Sequence, residues 1–186
     1  MGRTIVFVGT PGAGKTSILN EVDHDHRLVN IGTEMFNIAS KDHNVTNRDQ
    51  LRKLDAKLQA QIRSKVFEEI RKAKEDIILD THATIRNGPR FVFGFTMDEL
   101  KSIDVRTLVY VDASSKDILK RREHDLSRHR DVEDATDIEE QREVNISLIT
   151  AYAAVLGIPL YIIKNNSNQL KKAIEQANSI VKETFQ

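Results

Sequence analysis

The apolar positions along the chain fall into two periods. "TIVFVGT" near the start is β-branched and continuously apolar, the pattern of a parallel strand covered on both faces. "DIILD" (76–80), "RTLVYVDAS" and "LYIIKNN" repeat that pattern, and "RLVNIG" is a shorter version of it. Between these runs the apolar residues recur at three and four. A helix is predicted from about Lys15 to His24. The strongest helical stripe lies in residues 47–75, where Leu51, Leu54, Leu58, Ile62, Val66 and Ile70 alternate with charge. Asn47 suits its N-cap, with Gln50 three residues on. "TMDELKSI" reads as a short helix opened by Thr96, "KDILKRREHDL" as helical, Ala135 to Leu156 as a long helix, and "SNQLKKAIEQANSIVKETF" as the last one. "GPRFVFGFT" reads as a loop punctuated by glycine and proline. "SRHRDVEDATD" is charged and lacks apolar periodicity, the pattern of an exposed, mobile segment. Five strands alternating with helices predict an α/β fold: an open, five-stranded, mostly parallel sheet with helices on both faces. Ligands of such sheets bind at the carboxyl ends of the strands.

The first strand runs into "GTPGAGKTS", residues 9–17. Gly9, four residues, Gly14, Lys15 and Thr16 form the P-loop pattern, with a strand before it and a helix after it. Gly9, Pro11, Gly12, Ala13, Gly14, Lys15, Thr16 and Ser17 are the predicted phosphate-binding residues. The glycines let backbone N–H groups curl around phosphate oxygens, and the helix N-terminus adds partial positive charge. Lys15 reaches the β- and γ-phosphates, and the Thr16 hydroxyl is a ligand for magnesium. The fold class is therefore a P-loop NTPase fold. Such sites have a second acidic member at the end of a core strand. Asp80 fits, holding magnesium through water. Asp112 ends "LVYVD" and competes with it, but is read as a cap for the following helix.

Composition narrows the field. The 186 residues suit one domain, 39% of them are hydrophobic, and 28 basic residues balance 28 acidic ones. Zero net charge gives no electrostatic case for nucleic acid as a partner. The chain has no cysteine, which rules out disulfides and thiolate metal sites. The N-terminus enters a strand at once, leaving no room for a signal peptide, and "ISLITAYAAVLGIPL" is too short and interrupted for a membrane span. A cytoplasmic protein is the expectation.

A guanine-reading Asn-Lys-x-Asp is missing after the last strands, which excludes a GTPase switch, and motor ATPases usually carry more sequence. Small kinases remain, and their mark is arginines converging on two phosphate groups. Arg86 lies six residues beyond Asp80. Arg121, Arg122, Arg128 and Arg130 cluster in and before the charged segment, where a polyphosphate would resolve their mutual repulsion. Arg121 and Arg122 point about 100° apart on a helix, so one of the two is expected to face the site. "THATIR" after Asp80 holds no carboxylate to deprotonate an alcohol, which favours a phosphate acceptor. Arg86, with Arg48 or Arg52, would clamp it. His82 has two readings: a member of the phosphate or acceptor pocket, or a histidine that bonds backbone and shapes the loop. His24, His26, His43 and His129 lack metal-ligand spacing with carboxylates, so magnesium carried with ATP is the one metal expected. The loop from Asn165 to Ser167 is the expected contact for the ATP base.

"GTPGAGKT", "NIGTEM", "RDQLRKL", "ILDTHATIR" and "ILKRREHDLSRHRD" together resemble the archaeal-type adenylate kinases, in segment order and spacing over nearly the whole chain. "DTHATIR" in place of the bacterial Asp-Gly-x-Pro-Arg is the more telling mark, with the very short lid. The resemblance implies a single domain over 1–186, with a helical monophosphate-binding insert at about 30–75 and a lid at about 125–136. It implies reversible conversion of ATP and AMP to two ADP with magnesium. It also implies an AMP pocket around Gly32, Thr33, Met35 and His82, closed by the region carrying Arg52. Arg86 would sit on the AMP phosphate, and Arg121, Arg128 and Arg130, with Lys15, near the transferred group. A homotrimer is implied as well. Two departures stand out: His124 where the family often has another arginine, and the phenylalanine-rich "NGPRFVFGFT", where Arg90 reads as a surface residue. Two rivals remain: a small P-loop kinase with another monophosphate or a metabolite as acceptor, and a nucleotide-dependent assembly factor with ATPase activity.

Overall fold

Strand β1 (Arg3–Gly9) is the middle of a five-stranded sheet in the order β2-β3-β1-β6-β7, parallel throughout. Its partners are β2 (Arg27–Asn30), β3 (Ile77–Asp80), β6 (Asp104–Asp112) and β7 (Leu160–Lys164). In this computed structural model residues 1–22, 25–47, 50–51, 54–124 and 134–186 are described. The expected sheet is borne out. Two further strands, β4 (Thr84–Asn87) and β5 (Arg90–Phe93), form a separate antiparallel hairpin. This corrects the reading of "GPRFVFGFT" as a loop. Gly88 has φ 59° at the first central position of the Gly88-Pro89 turn, which a II′ hairpin requires.

Successive residues of each strand face opposite sides, so the core divides in two. Val6, Val8, Ile77, Leu79, Leu108 and Tyr110 belong to one cluster, and Ile5, Phe7, Ile78, Val109 and Val111 to the other. Helices α1 (Lys15–Leu19), α5 (Ser115–His124) and α7 (Leu170–Phe185) feed the second. Helices α3 (Ala56–Lys72), α4 (Met97–Lys101) and α6 (Ala135–Leu156) feed the first, with Ile31 of α2 (Ile31–His43). Each fully buried Ile, Leu or Phe stabilises by about 1.5–3 kcal/mol, which makes this two-sided core a rigid base for the loops above it.

Two helices are shorter than their apolar patterns predict. α1 ends at Leu19, ahead of Asn20, Val22 and Asp25, whose types have low helix propensity. The 47–75 stripe is buried at Leu51, Ile62, Val66 and Ile70, yet α3 begins only at Ala56. There Asp55 is extended and its carboxylate accepts from the N–H groups of Lys57 and Leu58 at 2.9 and 3.0 Å, so it caps a new helix start. Asn47 also caps: its Oδ1 accepts from Gln50 N at 3.0 Å, and Gln50 reaches back to Thr46 N at 2.8 Å. Thr96 opens α4 as expected, through a capping box that Glu99 completes. α6 matches its expected span and is opened by a capping box between Asp134 and Asp137.

Candidate phosphoryl-transfer site

β1 delivers the chain into the P-loop at the carboxyl edge of the sheet. Ala13 N donates to Thr10 O at 2.9 Å, closing the turn, and Lys15 opens α1. Gly14 has φ 87°, and a Cβ there would lie 2.3 Å from Asn165 Nδ2, so only glycine fits. A Cβ at Gly9 would meet the Val111 carbonyl at 2.5 Å, where β1 and β6 run side by side. Ala13 is buried; Thr16 and Ser17 are exposed on the first turn of α1; Pro11 is half-buried.

Asp80 ends β3 level with Phe7 of β1 and Asn30 of β2. It is 4% exposed and lies against the ammonium of Lys15, itself 7% exposed. Its second oxygen accepts from Asn30 Nδ2 at 2.6 Å. Asn30 is a site residue that sequence reasoning overlooked. Its Oδ1 caps α2 by accepting from the N–H and hydroxyl of Thr33 at 2.9 and 3.0 Å, so one side chain ties Asp80 to the start of "IGTEM". Gly32 is exposed in that first turn, and Met35 packs between two clusters of the core. The cap position before "IGTE" was the signal for Asn30.

Thr16 hydroxyl and Asp80 carboxylate are hard oxygen donors of the kind magnesium takes. The Asp80 position already accepts a cation, since the Lys15 ammonium lies against it. Among the described residues no three acidic or histidine side chains converge to hold a metal alone, so phosphate and water oxygens would supply most of the coordination.

Arg121 and Arg122 both reach the P-loop, so the expectation that one of them faces it is corrected. Arg121 Nη1 donates to Ala13 O at 3.2 Å and Nη2 to Asn165 O at 2.8 Å, while Arg122 Nε donates to Pro11 O at 2.9 Å. The 100° between them is absorbed because the loop wraps the α5 face and both side chains are long. His124 is exposed and turns back on its own helix, 2.7 Å from Lys120 O. Asn165 Nδ2 donates to Ala13 O at 2.8 Å, and Asn166 Oδ1 accepts from Ser114 N at 2.9 Å. Ser167 Oγ bonds Asp117. The His82 ring is half-buried with Nδ1 3.4 Å from Gly9 O, behind the phosphate loop. Arg90 is exposed. Arg48, Arg52, Arg128 and Arg130, like the segment 125–133, lie outside the described residues.

Asp112 does not cap the next helix. It receives Arg142 of α6 through Nε and Nη2 at 2.8 and 2.9 Å, and Lys164 at 2.5 Å. Burial alone would raise its pKa, but these hydrogen bonds outweigh it and hold the carboxyl below the usual range. The helix start is served by Ser114, whose hydroxyl accepts from Asp117 N at 3.1 Å. The competitor of Asp80 is thus consumed by its own cations.

A second connection runs behind the P-loop. Asn145 of α6 donates to Thr10 Oγ1 at 3.2 Å and accepts from the Thr84 hydroxyl at 2.7 Å, and Thr10 Oγ1 lies 3.1 Å from the Tyr110 hydroxyl. Burial pushes the Tyr110 phenol up to about 12, so it stays protonated at neutral pH. Arg86 in β4 meets α6 too, pairing with Asp137 at 2.7 Å and Glu140 at 2.6 Å. Asp137, Gln141 and Asn145 recur at four in a long helix, a polar stripe that was the sequence signal for this face.

Solved structures with this architecture include shikimate kinase from Acinetobacter baumannii in complex with shikimate, with a TM-score of 0.62 at 16% identity, covering 98% of this chain and 94% of that one. A putative kinase from Chloroflexus aurantiacus gives 0.60 at 14%, covering 100% and 99%. At such identities the likeness concerns the fold, and it sets the chain among the small P-loop kinase folds. A family model described as an AAA domain matches residues 8–139. The sequence goes further. It is 36% identical over 189 residues to the adenylate kinase of Thermococcus kodakarensis, covering 98% of this chain and 95% of that protein. It is 34% identical to that of Methanocaldococcus jannaschii, covering 97% and 98%, and 33% identical to that of Methanothermobacter thermautotrophicus, covering 96% and 99%. The chain belongs to the adenylate kinase family.

Proposed function

We propose that the protein is an adenylate kinase, catalysing the reversible, magnesium-dependent transfer of a phosphoryl group from ATP to AMP to give two ADP. The observation that carries the reading is the relation to adenylate kinases over nearly the whole chain. The site agrees with it. Between Asp80 and Arg86 the chain holds Thr81, His82, Ala83, Thr84 and Ile85, with no carboxylate to take a proton from an alcohol. An AMP phosphate is already an anion and needs no base.

In this reading the P-loop N–H groups and Lys15 bind the ATP phosphates, and Lys15 exchanges Asp80 for them. Magnesium arriving with ATP would be held by Thr16 and, through water, Asp80, and would neutralise phosphate charge. Arg86 meets the phosphate of AMP, whose pocket includes Gly32, Thr33, Met35, His82 and Arg52. Arg121, with Arg128 and Arg130, neutralises charge on the transferring group. The insert at about 30–75 and the lid at about 125–136 exclude the water that would otherwise hydrolyse ATP. The loop from Asn165 to Ser167 contacts the ATP base. The protein works in the cytoplasm, in nucleotide metabolism, as a homotrimer; among the described residues no helix is long and apolar enough to cross a membrane.

The test is ADP formation from magnesium-ATP with AMP, CMP, UMP, GMP or no acceptor. AMP-dependent formation of two ADP per AMP consumed is expected. Preference for another acceptor, or equal ATP turnover without one, would replace this reading with one of the two rivals.

A further inference from the structure

Arg86 is held by protein anions. Its Nη1 donates to Glu140 Oε2 at 2.6 Å and to the Asp137 carbonyl at 3.2 Å, its Nη2 pairs with Asp137 Oδ1 at 2.7 Å, and its Nε donates to Gly88 O at 3.2 Å. The Phe91 ring, opposite in the hairpin register, lies 5.8 Å from the guanidinium carbon. A guanidinium has five N–H groups in a fixed fork, and these contacts occupy four of those directions. Bidentate recognition of a phosphate needs two parallel N–H groups on one edge. A phosphate therefore cannot be added to the present set; it has to take the place of a carboxylate.

The exchange falls on side chains and not on the helix. Gln141 Nε2 donates to Thr84 O at 3.1 Å, and Asn145 accepts from the Thr84 hydroxyl, so α6 and β4 are bolted together through buried bonds at Thr84, two residues before Arg86. The two carboxylates differ in freedom. Asp137 is fixed by the α6 capping box, where its Oδ2 accepts from Asp134 N at 3.2 Å. The Glu140 side chain is 57% exposed, and that of Arg86 is 16% exposed.

We propose that Asp137 and Glu140 are positioning residues that stand in for the acceptor phosphate on Arg86, and that an incoming phosphate dianion displaces Glu140. The phosphate takes over the Glu140 contact while Asp137 keeps its own, so Arg86 stays neutralised with and without acceptor. The inference rests on the reading of Arg86 as the acceptor-phosphate contact. It assigns to Glu140 an effect opposite in sign to that of a residue that builds the site: the carboxylate competes with the acceptor.

The experiment compares steady-state kinetics of the wild type, Glu140→Gln, Arg86→Ala and the double variant, with AMP titrated at saturating magnesium-ATP and ATP titrated at saturating AMP. Glu140→Gln should lower the KM for AMP about twofold to fivefold, the span of a partly exposed ion pair, with the KM for ATP and kcat unchanged. In the Arg86→Ala background the same substitution should do nothing. An unchanged or raised KM for AMP in Glu140→Gln overturns the displacement, as does a decrease that persists without Arg86. Arg86→Ala itself should raise the KM for AMP at least about tenfold. If it leaves that constant alone, the acceptor reading of Arg86 falls, whatever Glu140→Gln does.

Discussion

Exchanging Arg142 for methionine separates the two aspartates that end core strands. Asp112 is 1% exposed, and Arg142 grips both of its oxygens at 2.8 and 2.9 Å. Removing one partner of a buried pair strands the other charge and costs about 3–5 kcal/mol. Lys164 keeps its own bond to Asp112 and offsets part of that loss, which leaves about 2–3 kcal/mol for Arg142→Met. For a chain of this size that is a fall of about 5–10 °C in Tm. The Lys164 side chain is 59% exposed, so Lys164→Met should cost about 1 kcal/mol or less. Thermal unfolding followed by circular dichroism reads all three proteins. The pH dependence has a definite sign. The folded-state pKa of Asp112 lies below its unfolded value of about 3.9, so its contribution is fully present above that value and is lost as pH falls through the folded one. The stability gap between wild type and Asp112→Asn should be flat above about pH 5 and close below about pH 4. Turnover of Asp112→Asn, measured at a temperature where it is folded, should match wild type, whereas Asp80→Asn should lose about 10–100-fold as the partner of a water-bound metal. An Arg142→Met protein that loses less than about 1 kcal/mol refutes the buried-pair reasoning. Lost turnover in a folded Asp112→Asn protein refutes the assignment of Asp80 as the acidic member.

Two further outcomes are expected. Lys15→Met should retain the far-ultraviolet dichroism of the fold and lose about 10²–10³-fold in kcat; wild-type turnover would end the proposed role of the P-loop lysine. Gly14→Ala forces a side chain onto a residue at φ 87° and into Asn165, so it should cost about 1–3 kcal/mol in thermal unfolding and weaken ATP binding in calorimetry; an unchanged Tm would mean that the loop relaxes freely.

The sheet and the phosphate loop were legible because their signals are local and redundant. A β-branched apolar run next to fixed glycine spacing has few other solutions, and the five core strands with the long helices follow directly. The hairpin of β4 and β5 was hidden because Gly88 and Pro89 mark a turn whether or not strands flank it, and four-residue strands carry almost no periodicity. The apolar pattern likewise does not single out α2. Its start is set by the Asn30 cap, and two of its residues, Ile31 and Ala39, are buried. The apolar stripe over 47–75 gave the buried face but not the start of α3, because Asp55 acts through backbone N–H groups that a hydropathy pattern does not see. Among site residues, Lys15 and Asp80 were readable by type and place. For Asn30, Asn145, Asp137 and Glu140 the sequence carries at most a cap position or a polar stripe and not the partner, since each pairs with a residue 50 to 135 positions away.

The resting arrangement follows from the charge balance of the chain. With 28 basic and 28 acidic residues, cations gathered to meet phosphate must be neutralised by the protein when no phosphate is there. A buried ammonium or guanidinium left alone would cost several kcal/mol. Lys15 accordingly lies on Asp80, Arg86 on Asp137 and Glu140, and Arg121 and Arg122 on P-loop carbonyls. Under the proposed function, nucleotide binding at such a site is an exchange of acceptors on these cations, so affinity is the difference between the phosphate and the group it replaces. Acceptor affinity then depends on residues that never touch the acceptor. The two halves of the site differ in what they give up: the P-loop side releases a pair buried on both members, while the Arg86 side releases an exposed glutamate. On the proposed reading, acceptor binding is therefore the easier of the two to tune by substitution, since a change on the donor side also breaks a buried pair.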